Sequence, residues 1–237
     1  MRVVAGNAWY RDRVIEAGCG PQRVQVIYTP LDSLFHQTPS NTGFRSEVSI
    51  PETARVITIA ATALESPRKR IREALQVAES VMISEPDVFL VVVGANCPPI
   101  PGRIEDRTRT TGIVSTGQLA RVLADTDIFL STASEDGGPM MVAAALACGA
   151  SVAATAIGYG ADLLVGDSAG ETFPLLGEVT SVLPSWPETV LRVLGRRSDD
   201  VPGAVAACKR LGRLFSADSS ASSYLGVYSE LLADVRT

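Results

Sequence analysis

The sequence predicts an α/β fold in which a doubly wound parallel sheet carries helices on both faces. From Arg55 onward, short apolar segments alternate with amphipathic ones, which is typical of parallel strands joined by right-handed helical crossovers. The apolar segments are continuous rather than alternating, as in "VFLVVV" at 88–93. We therefore expect strands that are buried on both faces.

Residues 1–50 predict a linker-like segment with one short helix and one strand. Residues 11–17 have helical spacing and stop near Gly18, whereas 24–30 ("VQVIYTP") predict a strand ended by Pro30. The polar residues 41–54 predict a connector to the next unit.

Residues 51–175 predict the core of the fold. Its expected strands are 55–62, 87–94, 111–114, 127–132, 151–155 and 170–173, and its expected helices are 68–83, 116–126, 139–148 and 158–166. The proline-rich stretch 96–107 predicts a surface loop. Residues 176–237 predict three helices (187–194, 204–214 and 220–235) that form a tail packed on the same domain.

Composition excludes several classes of function. The net charge of −5 without a basic stripe argues against nucleic acid as a partner. The apolar runs are shorter than the ~20 residues of a membrane span, and no signal peptide is expected at the start. Four scattered cysteines and one histidine, His36, lack metal-ligand spacing. We expect a cytoplasmic protein with reduced thiols.

Ligands of open α/β sheets bind at the carboxyl ends of the strands, where the amino termini of helices converge. The loops expected there are 61–69, 94–96, 115–117, 131–139 and 155–161. These five loops contain nearly all the candidate motifs.

The segment "SEDGGPMM" joins a predicted strand to a predicted helix. Gly137 and Gly138 allow a ligand to approach the backbone, and Pro139 suits the first turn of a helix. Glu135 and Asp136 have two interpretations. They recognise sugar hydroxyls, or they cap the helix and complement its dipole.

Three basic residues, Arg68, Lys69 and Arg70, stand where the 68–83 helix is expected to begin. Positive charge is unfavourable at the amino terminus of a helix, so the cluster indicates an anionic ligand such as a diphosphate, or else a solvated basic turn. Gly158, after the 151–155 strand, permits close backbone approach or forms an ordinary turn. Asp125 and Asp127 resemble a DxD metal motif, but a turn at the strand entry is the favoured interpretation.

In this order along the chain, "VIYTPLDSLF", "VITIAA", "RKRIREALQVAE", "FLVVVGAN", "SEDGGPMMVAAALACGASV" and "YLGVYSELL" resemble segments of group 1 (family 4) glycosyltransferases. The similarity is to the nucleotide-sugar-binding half of their GT-B fold and covers most of the chain. It implies a single Rossmann-like GT-B half. Neither a GxGxxG fingerprint nor a P-loop is present, which argues against an NAD-type oxidoreductase.

The resemblance implies transfer of a sugar from a nucleotide diphosphate sugar to an acceptor, with retention at the anomeric carbon, as in polysaccharide biosynthesis. Lys69 would bind the donor diphosphate, with Arg68 beside it. Asp136 aligns with the first glutamate of the family's E-x7-E motif, and Glu135 is one residue away. The backbone at Gly137, Gly138, Pro139 and Met140 would line the cleft, and Gly158 would face it. No cofactor and no metal are expected, because the nucleotide sugar is a substrate.

Three departures accompany this resemblance. The second glutamate of E-x7-E, which clasps the ribose hydroxyls in the family, falls at Ala144. Arg70 stands where the family has glycine, and the arginine that usually precedes the lysine is missing unless Arg68 replaces it. The acceptor-binding domain has no counterpart, so an acceptor-binding domain or a partner chain is expected. The alternative is a non-catalytic nucleotide-sugar-binding or interaction domain.

Overall fold

A computed structural model describes residues 2–174 and 185–235. Its strands are β1 (Val3–Ala5), β2 (Val24–Val26), β3 (Arg55–Ala63), β4 (Val88–Ala95), β5 (Thr108–Gly112), β6 (Ile128–Ser131), β7 (Ser151–Thr155) and β8 (Gly170–Phe173). Its helices are α1 (Ala8–Glu16), α2 (Leu34–Gln37), α3 (Phe44–Glu47), α4 (Ile71–Ser84), α5 (Thr116–Ala124), α6 (Met140–Cys148), α7 (Gly158–Leu163), α8 (Ser185–Asp199), α9 (Val201–Gly212) and α10 (Ala217–Val235).

The main sheet confirms the predicted fold class. Six strands run parallel in the order β5-β4-β3-β6-β7-β8. The chain builds outward from β3 to β5 and then returns to add β6 on the other side of β3. The strand order therefore reverses between β3 and β6, which is the switch point where open α/β sheets bind ligands.

Helices cover both faces of this sheet. Successive residues of a strand point to opposite faces, so each buried strand packs against both layers of helices. In β4, Leu90 and Val92 pack with α4 and α8, whereas Val91 and Val93 pack against Phe44 and Val122 on the other face. A further apolar cluster joins α5, α6 and α9 under β6 and β7. Two of the carboxy-terminal helices, α8 and α9, therefore contribute to the core.

Two of the strands differ from the prediction. The expected strand 111–114 lies earlier, at Thr108–Gly112, and Ile113 is 71% exposed. This strand is at the edge of the sheet, so polar β-branched residues form it in place of an apolar run. The three-residue strand β1, absent from the prediction, pairs in parallel with β2.

The boundaries of the three segments are less well defined. Residues 41–54, predicted as a connector, contain α3. The predicted boundary at 175/176 falls within 175–184, outside the described residues.

Candidate functional site

A cleft of about 420 Å³ opens at the carboxyl ends of β3, β4 and β6. It lies at the switch point of the sheet, between the loop that follows β3 and the loop that follows β6. Gly94, at the end of β4, lines it with φ +140°, and a Cβ there would lie 1.9 Å from the carbonyl oxygen of Ala61. Only glycine lets these two strands approach so closely.

The structure brings the predicted residues Lys69 and Asp136 together in this cleft. Lys69 Nζ lies 2.6 Å from Asp136 Oδ2, and both side chains are partly shielded, with 26% and 18% of their surface exposed. The two residues come from the loops on either side of the switch point. The pair places one positive and one negative charge in a cleft that Arg68 also lines.

The basic cluster adopts a turn rather than the start of a helix. Arg68 and Lys69 lie in a short 3₁₀ turn, Pro67–Lys69, and α4 begins only at Ile71. The prediction of a helix from 68 is therefore wrong by three residues. Arg70, which caps α4, has φ +50° and ψ +44°, a left-handed conformation that L-residues with side chains adopt at a cost. This is the position where the sequence resemblance implies glycine.

The loop after β6 (132–139) is tied to its neighbours by buried hydroxyls that the sequence analysis did not identify. Thr132 Oγ1 donates to the carbonyl oxygens of Lys69 and Arg70, at 2.9 and 3.0 Å. Thr155 Oγ1 donates to Ala133 O at 2.6 Å, and Ser134 N donates to Arg68 O at 2.8 Å. The two loops that carry Lys69 and Asp136 are thus held to one another. A Ser or Thr at the end of a buried strand or just after it is the only sequence signal for them.

The other predicted residues of this loop divide into two groups. Gly138, Pro139 and Met140 line the cleft together with Arg68, and α6 begins at Met140 with Pro139 as its cap. Glu135 and Gly137 are exposed and lie outside the set of cleft-lining residues.

Gly158, expected to face the cleft, lies behind the loop instead. Its φ is +48°, and a Cβ on it would come within 2.9 Å of Asp136 O and of Pro139 Cδ. The contribution of Gly158 is to let the loop pack closely, so the predicted cleft-facing role is corrected to a supporting one.

Residues of the amino-terminal segment reach the same loop, which the sequence did not indicate. Asn7 Nδ2 donates to Gly137 O at 2.7 Å. Asp162 Oδ2 accepts from Ala8 N at 3.0 Å and from the Tyr28 hydroxyl at 2.7 Å. Burial and the neighbouring carboxylate raise the pKa of Tyr28 well above its usual range, so this hydroxyl stays a donor.

The inner wall of the cleft is apolar where α6 and α5 meet. Met140, Met141 and Leu119 line it, with Val114 beside them. Ala144, one turn further along α6, is 1% exposed and packs in the cluster beneath this wall. Position 144, where the resemblance implies a glutamate, therefore carries a buried methyl group.

Asp127, half of the DxD-like motif, lies at the opposite end of the sheet. Its carboxylate accepts from Arg45 Nη2 at 2.8 Å and from Arg197 Nε at 3.2 Å, and it also accepts from Val56 N. Asp125 accepts from Thr42 and Phe44. These contacts support the strand-entry interpretation of the motif.

In the described ranges 2–174 and 185–235, no group of three or more His, Cys, Asp or Glu residues is arranged to hold a metal ion. None of the helices in those ranges combines the length and hydropathy that a membrane span needs. Cys148 and Cys208 are buried, and burial raises the pKa of their thiols to about 12 and about 11. Cys19 and Cys97 are partly exposed free thiols.

The part of the chain that forms this cleft matches the model of a known protein family. The model of the family described as "Glycosyl transferases group 1" matches residues 54–196, which contain β3 to β8 and both loops of the cleft. A search of curated proteins found no match.

Several solved structures are similar over nearly the whole chain. Anabaena Alr3699/HepE in complex with UDP superposes with a TM-score of 0.75 at 15% identity, covering 97% of this chain and 64% of that one. Sucrose-phosphate synthase from Thermosynechococcus elongatus gives 0.69 at 16%, covering 98% and 58%. A glycosyltransferase from Rickettsia africae gives 0.72 at 14%, covering 98% and 63%. The chain thus spans about three fifths of the length of these structures, and at such identities the likeness concerns the fold.

Proposed function

The chain belongs to the group 1 glycosyl transferases, and from this membership we propose that it is the donor-binding half of a GT-B enzyme that transfers a sugar from a nucleotide diphosphate sugar with retention. The observation that carries the proposal is the Lys69–Asp136 pair in the cleft at the switch point. The complex of the similar Anabaena protein with UDP supports a nucleotide as the ligand.

The chemistry follows from the charges of the cleft. In the transfer step the bond between the anomeric carbon and the diphosphate breaks, and negative charge develops on the leaving phosphate. Lys69 would stabilise that charge, with Arg68 and the first amides of α6 beside it. Asp136 would accept hydrogen bonds from hydroxyls of the donor sugar. No metal is required for this stabilisation, and the leaving phosphate would assist attack by the acceptor on the same face.

The acceptor would bind a further domain, on the same or on a separate polypeptide. This part of the proposal rests on the share of the similar structures that the chain spans, about three fifths. A cytoplasmic location agrees with a nucleotide sugar as donor and is proposed with it.

Calorimetry with UDP, GDP, ADP, their sugars and NAD tests the donor site. Lys69 and Lys209 are the only lysines of the chain, which gives a matched pair of variants. We expect one nucleoside diphosphate to bind the wild type. Its affinity for Lys69→Ala should be at least tenfold lower, because a charged contact to phosphate is removed. Its affinity for Lys209→Ala should equal that for the wild type.

A chemical measurement checks the same point without substitution. Acetylation of the native protein followed by mass spectrometry should show that the nucleotide protects Lys69 and leaves the labelling of Lys209 unchanged. Binding of NAD alone, or equal loss of affinity in both lysine variants, would contradict the proposal.

The second candidate is a non-catalytic nucleotide-sugar-binding domain. It is favoured by Ala144, which is buried and apolar where the family's second glutamate stands. The two candidates separate on turnover, measured as release of nucleoside diphosphate in the presence of a supplied acceptor domain.

A further inference from the structure

Asn7 is a fully buried polar residue whose side-chain amide makes one hydrogen bond through its oxygen and one through its nitrogen. Its exposed fraction is 0%. Oδ1 accepts from Tyr10 N at 2.8 Å and so caps α1, while Nδ2 donates to Gly137 O at 2.7 Å, across 130 positions of sequence. The first contact is local. The second reaches the loop that carries Asp136.

The contact with Gly137 fixes the direction of a backbone donor. In a trans peptide, the carbonyl oxygen of one residue and the N–H of the next point to opposite sides, and the Gly137–Gly138 peptide is trans. Because Asn7 holds the carbonyl of Gly137 on its own side, the N–H of Gly138 faces the other way. It points to Asp136 Oδ1, 3.4 Å away, and both residues line the cleft.

A peptide between two glycines is the least restrained in orientation, since neither residue has a Cβ. If this peptide flipped, the carbonyl oxygen of Gly137 would turn toward the cleft in place of the N–H of Gly138. A carbonyl oxygen repels phosphate oxygens, whereas an N–H attracts them. The orientation that Asn7 selects is the one that suits an anionic ligand.

The segment that carries Asn7 is itself held in place by contacts with the rest of the domain. Asp162 on α7 accepts from Ala8 N and from the Tyr28 hydroxyl, which fixes the start of α1 against the core. Tyr10 from the first turn of α1 lies over Gly137, with its hydroxyl 2.8 Å from where a Cβ would stand.

We propose that Asn7 is a positioning residue for diphosphate binding, which it serves by holding the Gly137–Gly138 peptide with its N–H toward the cleft. This role rests on the proposed donor site. It assigns to the amino-terminal segment, whose strands are separate from the main sheet, a direct part in shaping that site.

The test is Asn7→Asp, which keeps an oxygen to cap α1 and puts a second carboxylate oxygen where the donor to Gly137 stands. Asn41→Asp is the control, because Asn41 and Asp127 line a separate cavity at the opposite end of the sheet. UDP and uridine are titrated well below the melting temperature, and hydrogen exchange is followed over 134–140.

We expect UDP to bind Asn7→Asp about tenfold more weakly, as for the loss of one hydrogen bond of about 1.4 kcal/mol. Uridine affinity should stay within twofold, and exchange over 134–140 should accelerate. Asn41→Asp should match the wild type in all three.

Three results would overturn the role. Unchanged UDP affinity in Asn7→Asp, with Lys69-dependent binding intact, would refute it and leave the donor site standing. Equal weakening of UDP and uridine would mean that Asn7 only supports the fold. A wild-type chain that binds none of the nucleotides tested would refute the donor site, and this role with it.

Discussion

Ala144 stands where the sequence resemblance implies the second glutamate of the E-x7-E motif. On a helix, positions i, i+3 and i+4 share a face, so Ala144 lies on the face of α6 that also carries Met140 and Met141, both of which line the cleft. A helical side chain leans toward the amino terminus of its helix. The methyl group of Ala144 is buried. A longer side chain at this position would therefore extend from the buried site toward the cleft.

This geometry predicts how substitution of Ala144 changes nucleotide selection. The wild type should bind UDP and 2′-deoxy-UDP with Kd values within threefold, because no carboxylate accepts the ribose hydroxyls from this position. Ala144→Glu should favour UDP by about tenfold or more, since a hydrogen bond to a charged group contributes about 1.5–3 kcal/mol. It should also lower stability, because a carboxylate is partly buried.

Calorimetry with both nucleotides measures the preference, and urea unfolding measures the stability. Ala144→Gln, which has the same shape without the charge, should show a smaller preference. A wild type that already discriminates tenfold between the two nucleotides would contradict the prediction.

At the scale of elements, the start of α4 combines a functional turn with a strained residue. The 3₁₀ turn presents Lys69 to the cleft, and the next residue, Arg70, must take a left-handed conformation to let the chain enter α4. The carbonyls of both residues accept from Thr132, so the backbone is held in this form by the neighbouring loop.

Arg70→Gly should therefore stabilise the fold by about 0.5–1 kcal/mol. Glycine relieves the cost of the left-handed region, about 1–2 kcal/mol, and part of this gain is lost to the greater flexibility of the unfolded chain. Arg72→Gly, within the first turn of α4, is the control and should destabilise by about 1 kcal/mol. Both are measured by urea unfolding. A loss of stability in Arg70→Gly would show that its side chain contributes more than the strain costs.

At the scale of the whole molecule, the two ends of the sheet have different roles. The carboxyl end carries the cleft, whereas the amino end carries the ion pairs of Asp127 with Arg45 and Arg197. Arg197 is on α8 and Arg45 on α3, so one carboxylate joins the connector, the sheet and the carboxy-terminal helices.

Asp127→Ala should destabilise the chain by about 3 kcal/mol, because it leaves Arg197 buried with one partner fewer. Arg197 keeps its contacts with Gly149 O and Ser151 Oγ, which limits the loss. Nucleotide affinity should not change, since the cleft is at the other end of the strands. Chemical unfolding and calorimetry on the same variant check both points. If Asp127→Ala kept its stability and lost nucleotide binding, Asp127 would have a role in ligand binding and this prediction would be wrong.

The sequence by itself determined the fold class and most of the strands and helices of the main sheet. Continuous apolar strands, amphipathic helices and glycine-bounded turns are local patterns, and they located β3, β4, β7 and β8 closely. The same patterns, with the rule that ligands bind at the carboxyl ends of parallel strands, placed Lys69 and Asp136 in loops at one edge of the sheet. Resemblance to a family then supplied roles for these residues.

Only the tertiary structure decided which loops meet and which residues support them. The Lys69–Asp136 pair spans 67 positions, and the contact from Asn7 to Gly137 spans 130. Nothing in a local pattern specifies such partners, because each depends on strand order and on how α1 packs. The same reason explains the errors at Gly158 and at the edge strand β5. Whether a glycine faces the cleft or the back of a loop, and whether a strand lies at the centre or the edge, are properties of the assembled sheet.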